Sequence, residues 1–297
     1  MLTCLSKGGV VINEHTLNAR QTCHHIEVLG RWFDFIDHDE LPGRLSRPKS
    51  RPFCLLTFDD GKRSNFTETA PELRRRGIPA IFFVPTRFLG NQRPLWFDRY
   101  AALQSALSRM PVGLELETLK ELPLALLEQR LTRVCAELGV EPDLSSDDVR
   151  PMSWDECREL SRQGFKIGSH SLNHSILTRE TQADALADIE QSIEEVTRNT
   201  GQPCVTFAFP NGNYTAALAF HAVHCGAATV MTTEPTWIRP EIPLWRLPRI
   251  QLFPAFSRSK IELKLALAAT GCWLANPDGT GRLYRSINRI AAKTPCR

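Results

Sequence analysis

Short apolar runs alternate with stretches of helical period along most of the chain. Such alternation predicts βαβ units wrapped around a largely parallel sheet. The first apolar run is Gly9, Val10, Val11 and Ile12. An amphipathic stretch over 22–35 predicts a helix with Ile26, Leu29, Trp32 and Phe33 on one face. A short helical turn is expected over 39–45. Residues 52–58 form a continuous apolar run, as a strand buried on both faces would, and end at Asp59-Asp60-Gly61. A helix over 65–76, stopped by Gly77, and a strand over 78–84 follow.

Residues 96–138 are helical in character, with Leu103, Leu107, Leu119, Leu124, Leu127 and Leu131 as core positions. They fall between two strand–helix units and read as a helical insertion, either an outer packing layer or a lid. Ser153 and Glu156 form a capping box for a helix that ends near Gly164. A short strand over 165–168 leads into Ser169-His170. A long helix is expected over 178–199, with Ala183, Leu186, Ile189, Ile193 and Val196 inward and Gly201 as its stop. Strands are expected over 203–209, 227–232 and 247–252, and helices over 215–225 and 259–269.

The chain has 297 residues, 42% of them apolar, enough for one large α/β core. The formal charge of +3 is uneven. Arg282, Arg285, Arg289, Lys293 and Arg297 meet no acidic residue over 279–297, leaving 31 basic against 33 acidic residues elsewhere. The expected organisation is a single domain over 1–278 and a basic tail over 279–297. The tail is either a packed terminal helix or a peripheral contact with an anionic membrane. The body offers no electrostatic case for nucleic acid. Nine cysteines, an odd number without a C-x-x-C pair, argue against a disulfide framework and a zinc ribbon. No signal peptide is visible at the N-terminus, and the uncharged stretch 201–233 is broken by Pro203, Pro210, Asn211 and Asn213. A cytoplasmic protein with reduced thiols is expected.

Three features fall at the C-terminal ends of predicted strands, where parallel α/β folds build their sites. Asp59 and Asp60 are adjacent carboxylates, costly to bury unless a cation binds one and leaves the other as a base; the alternative is a capped turn. His170 and His174, four apart, fall on one face if the segment is a helical turn, close enough to share a metal. Pro210-Asn211-Gly212-Asn213 could turn backbone N–H groups toward an oxyanion, or be an ordinary Pro-Gly turn. Two histidines and a carboxylate leave open positions on a zinc-like cation, and the second carboxylate can activate water. The combination points to metal-assisted hydrolysis.

Thr57-Phe-Asp-Asp-Gly61, the stretch Met152 to Leu177 and Phe207-Ala-Phe-Pro-Asn-Gly-Asn-Tyr214 resemble the first three motifs of the polysaccharide deacetylases, the NodB-homology group of carbohydrate esterases. Trp154, Gly164, Ile167-Gly-Ser-His170 and His174 keep the family's spacing. The resemblance runs over about 9–250. It implies a distorted (β/α) barrel, usually seven-stranded. It implies that Asp60, His170 and His174 bind a divalent metal, zinc first with cobalt, nickel or manganese as alternatives. Asp59 would be the general base, and the N–H of Asn211 would help hold the oxyanion. Pro210, Gly212 and Trp154 are expected to contact substrate. The implied reaction removes an N-acetyl group from an amino sugar in a glycan or in a lipid- or nucleotide-linked precursor. Hydrolysis of another amide, such as an N-formyl group, and a degenerate sugar-binding module are the alternatives.

Three departures from the family pattern bear on this. The arginine that orients the base in the third motif is replaced by Ala208; Arg249 is expected to reach the same carboxylate from the next strand. The fourth motif is weak, with Thr232 to Trp237 in its place. The last motif, which brings a histidine acid, is absent, since no histidine follows His224. That acid is left unassigned: metal-bound water, a substrate group or an earlier histidine could substitute, with His15 one candidate and an exposed loop histidine the plain alternative. His24, His25, His221 and His224 are expected to be surface or half-buried helix residues.

Overall fold

The structure, a computed structural model, describes residues 8–47, 51–91 and 93–270. The basic segment 279–297 lies outside them. The elements run β1 (Gly9–Glu14), α1 (Ala19–Gly30), β2 (Asp34–Phe35), α2 (Leu41–Leu45), β3 (Phe53–Phe58), α3 (Ala70–Arg75) and β4 (Ala80–Val84). Then follow α4 (Trp96–Ala106), α5 (Leu116–Lys120), α6 (Leu124–Leu138), α7 (Trp154–Arg162), β5 (Lys166–Ser169) and α8 (Gln182–Thr200). The chain continues with β6 (Thr206–Ala208), α9 (Ala216–His224), β7 (Thr229–Met231), β8 (Ile250–Gln251) and α10 (Arg258–Ala269).

Seven strands follow one path, β7-β6-β5-β4-β3-β1-β8, and their pairings are parallel. Leu247 donates to Val230 O and accepts from Thr232 N, both at 2.8 Å, so residues 247–251 join the two edges of the curled sheet. The expected distorted (β/α) barrel is therefore the fold. Strand alternation sorts its core into two layers. Val11, Phe53, Leu55, Ile81, Phe83, Ala208 and Met231 fill the inside. Val10, Ile12, Cys54, Leu56, Phe58, Phe82 and Val230 meet the helices outside. Gly168 makes room for the side chain of its register partner: a Cβ there would lie 2.4 Å from the Phe83 ring.

Local chemistry moves several predicted boundaries. The first helix starts after Asn18, whose side chain accepts from Gln21 N in a capping box, and ends at Gly30 rather than near residue 35. Asp34 and Phe35 instead form the unpredicted β2. Strand β4 covers only the later half of β3, from Leu56, so the earlier half has an open edge that β2 takes. The stretch 65–76 is a helix in two parts, a wide π-type turn over Asn65–Thr69 followed by α3. The long helix begins at Gln182 because Thr181 caps it by accepting from Asp184 N. Its inner face differs from the expected apolar stripe: Ala183 is exposed, while Asp188 and Ser192 are buried.

Helices α4 to α6 carry a third hydrophobic cluster of their own, built on Trp96, Leu103, Leu119, Leu127 and Leu131. Among the described residues no helix is long and apolar enough to cross a membrane.

Candidate active site

Because the strands are parallel, their C-terminal loops gather at one end, and the three motif segments meet there. Asp59 leaves β3 with an inward side chain, two positions after inward Thr57. His170 leaves β5 in the same sense. Four non-glycine residues among the described ones have left-handed backbone, and all lie in these loops: Asp60 (φ 73°), Ser171 (φ 65°), His174 (φ 55°) and Asn211 (φ 56°). Such conformations cost free energy and persist where the surroundings over-determine them. The segment holding both histidines is thus not the helical turn expected from their spacing. It is an irregular turn, with left-handed residues at Ser171 and His174 bending the chain so that the two rings meet edge to face at 4.9 Å between centroids.

Asp60 Oδ1 lies 3.2 Å from His174 Nε2 and 3.7 Å from His170 Nε2. One donor atom from each residue falls within 4.8 Å of the others, and all three residues are buried. Asp60 Oδ1 accepts no hydrogen bond. His170 Nδ1 faces Ala208 O at 2.7 Å, so Nδ1–H donates to the carbonyl and Nε2 points its lone pair into the cluster. Burial pushes His170 down to about 4, which keeps the imidazole neutral near pH 7. Converging oxygen and nitrogen donors, the Asp60 oxygen without a hydrogen-bond partner, fit a borderline divalent cation.

Asp59 stands in a different environment. Arg249 Nη1 donates to its Oδ1 at 2.7 Å and Nη2 to its Oδ2 at 2.8 Å. The arginine is 1% exposed and also donates to Thr57 Oγ1 at 3.2 Å and Thr232 O at 3.0 Å. The Phe83 ring lies 5.4 Å below its guanidinium. Burial alone would raise the Asp59 carboxyl; Arg249, with help from His170, outweighs it and holds the group below the usual carboxylate range. The pair is two-pronged, the geometry a guanidinium offers and an ammonium does not.

The other expected residues are placed as follows. Pro210 is buried, and Gly212 (φ 74°) has no room for a side chain, since a Cβ would fall 1.9 Å from Thr233 Oγ1. Gly212 N–H is committed to Phe209 O at 2.9 Å, so it closes the turn rather than facing an oxyanion. Trp154 opens α7, is half-buried, and packs on the outer core layer. His15 follows β1 at the rim of the cluster, its Nε2 4.0 Å from Asp60 Oδ2 and its side chain 37% exposed. His25 is buried rather than superficial, its Nδ1 2.6 Å from Glu14 Oε1. Trp237, in the weak fourth motif, is a packing residue against Phe33.

The sequence reading overlooked Lys62, Trp96, Phe97 and Asp98. The first turn of the insertion walls the cluster: Trp96 Nε1 donates to His174 O at 3.3 Å, and the Phe97 ring meets His174 edge-on at 5.0 Å. Lys62 Nζ donates to Asp98 Oδ2 at 2.5 Å, with both side chains buried, and keys that turn to the loop after Asp60. The only trace in the sequence is a lysine directly behind the Asp-Asp-Gly turn.

A model of the family described as polysaccharide deacetylase matches residues 46–230. Comparison with curated protein sequences finds no match. Among solved structures, the Streptococcus pyogenes deacetylase PplD in complex with acetate is 14% identical, covers 86% of this chain and 97% of its own, and superposes with a TM-score of 0.60. A de-N-acetylase from Aggregatibacter actinomycetemcomitans gives 14%, 87%, 99% and 0.59 in the same order. IcaB from Ammonifex degensii gives 16%, 87%, 97% and 0.57. At such identities these likenesses speak for a common fold, and together with the family match over more than half its length they show that the chain belongs to the polysaccharide deacetylase family.

Proposed function

We propose that this protein removes the N-acetyl group from an amino sugar, in a glycan or a lipid- or nucleotide-linked precursor, using a divalent cation, zinc for preference, held by Asp60, His170 and His174. Family membership supports a carbohydrate deacetylase acting on N-acetyl amide bonds. The observation that carries the finer reading is the division between two adjacent carboxylates. Asp59 is tied to Arg249 through both oxygens, while Asp60 faces two histidines with an oxygen that accepts no hydrogen bond. Environments that separate two neighbouring acids assign them separate roles.

When bound, the cation supplies Lewis-acid polarisation of the amide carbonyl and acidifies a water. Asp59 accepts the water's proton at a carboxylate oxygen. Arg249 acts through Asp59: it keeps the carboxylate ionised and aimed, at the expense of proton affinity. The N–H of Asn211, held on the turn that Pro210 and Gly212 shape, donates to the oxygen of the tetrahedral centre. His15, at the rim, hands a proton to the departing nitrogen, leaving a free amine and acetate. Its nearness to Asp60 favours it over the other histidines for the acid that the missing last motif would otherwise bring.

The test is acetate and formate release from a panel of N-acetyl and N-formyl amino sugars, with and without chelator. Acetate release that stops with chelator and falls at least a hundredfold in Asp59→Asn is expected. Formate alone would select the other amide. No hydrolysis with added zinc or cobalt, but measurable sugar binding by calorimetry, would select the binding-module reading.

A further inference from the structure

Helix α8 presents two buried polar side chains, four residues apart on one face, to the strand end that carries His170 and to the turn beyond it. Ser192 Oγ accepts from Ser169 Oγ at 2.7 Å. Asp188, 8% exposed, accepts from Leu172 N at 2.9 Å through Oδ1 and from Ser175 Oγ at 3.3 Å through Oδ2. The two residues that Asp188 holds are the immediate successors of the two left-handed residues of the turn, Ser171 and His174. One carboxylate therefore fixes the chain just after each point where it departs from ordinary backbone. Between and around those points, His170 N donates to Val84 O at 3.0 Å, and Ser171 O and Leu172 O accept from Thr86 N and Arg87 N at 3.1 and 3.0 Å. The β4 side thus holds the front of the turn, and α8 holds its back.

We infer that Asp188 is a positioning residue for the His170–His174 pair, a two-oxygen clamp that holds the strained turn in the one shape in which both rings meet Asp60. The inference rests on the proposed metal-holding role of those three residues. The hydrogen bonds of Asp188 go to Leu172 and Ser175 and not to either histidine, so its effect passes through the turn. Asparagine at 188 can reproduce both bonds, accepting from Leu172 N and donating to Ser175 Oγ; alanine reproduces neither. Supporting partners of metal ligands are commonly worth ten- to a hundredfold in affinity.

The experiment is titration of the metal-free protein with cobalt(II), reading affinity and the visible ligand-field spectrum, beside a thermal melt of each metal-free variant. Asp188→Ala is expected to bind cobalt about tenfold or more weakly with an altered spectrum. Asp188→Asn should stay within about threefold of the parent and keep its spectrum, and Ser175→Ala, which loses one bond of the two, should fall between. If Asp188→Ala does not fold, Ser175→Ala and Asp188→Asn decide. Parental affinity and spectrum in folded Asp188→Ala, or in Ser175→Ala, would overturn the clamp, as would an Asp188→Asn as weak as alanine. A parent protein that binds no cobalt would instead sink the proposed metal-holding role.

Discussion

At the scale of single residues, the site depends on a buried arginine that is nowhere near Asp59 in sequence. Arg249 and Asp59 are almost fully buried, so each is tolerable only with the other. Arg249→Ala leaves Asp59 buried without its counter-ion. It should lower kcat about a hundredfold and destabilise the fold by about 3–5 kcal/mol, with cobalt binding unchanged. A parental rate would reject the positioning role. Asp188 shows the opposite electrostatic situation. Burial, only partly countered by its two hydrogen bonds, pushes its carboxyl up to about 7. The native state then holds a proton that the unfolded chain, near the ordinary 3.8, has released. Stability from this group is therefore full below about pH 4 and lost as pH rises toward 7, on the order of 2–4 kcal/mol at most. Asp188→Asn removes that loss, so urea melts at pH 4.5 and 7.5 should show the variant gaining on the parent at the higher pH. An equal difference at both pH values would contradict the raised value.

At the scale of elements, the group α4 to α6 does more than pack on itself. It has its own apolar cluster, yet its first turn leans on His174 through Trp96 and Phe97 and is keyed to the barrel by Lys62 and Asp98. Asp98→Ala strands a buried ammonium and should cost about 3 kcal/mol or more in a denaturant melt. Because the same turn bears on His174, cobalt affinity should fall as well. Lost stability with unchanged affinity would mean that the insertion merely rests on the barrel. The sequence made this stretch legible as helical through its leucine spacing, without dividing it into three helices. It could not place their N-terminal turn, since that depends on a pairing between Lys62 and Asp98 across 36 residues.

At the scale of the whole molecule, the curled parallel sheet brings a carboxylate from β3, an arginine beside β8 and histidines beyond β5 to one end. If Asp60, His170 and His174 hold a cation in the folded state only, metal must stabilise the protein by mass action. Zinc at about a hundred times its dissociation constant should add roughly 2.7 kcal/mol, seen as a higher melting temperature that chelator reverses. A Asp60→Asn, His174→Ala double variant should show no such rise. A rise of equal size there would place the cation elsewhere.

Much of this was written locally. Apolar runs ending in Asp59-Asp60-Gly61, in Ser169-His170 and in Pro210-Asn211-Gly212 defined strands and the loops at their ends, because burial of a strand and capping of a turn are short-range requirements. The element boundaries that shifted did so for equally local reasons, such as the caps at Asn18 and Thr181. What no short stretch encodes is which partner a buried charge finds. The pairing of Arg249 with Asp59, of Lys62 with Asp98 and of Asp188 with the turn after Ser169 became visible only once the sheet had curled. Nor could spacing alone reveal that His170 and His174 meet through a left-handed turn. Sequence by itself determined most of the elements, the alternation of strands and helices, and the residue types at the strand ends. Tertiary structure decided which partners each carboxylate meets, because a charge taken out of water must be matched across distances that only folding closes.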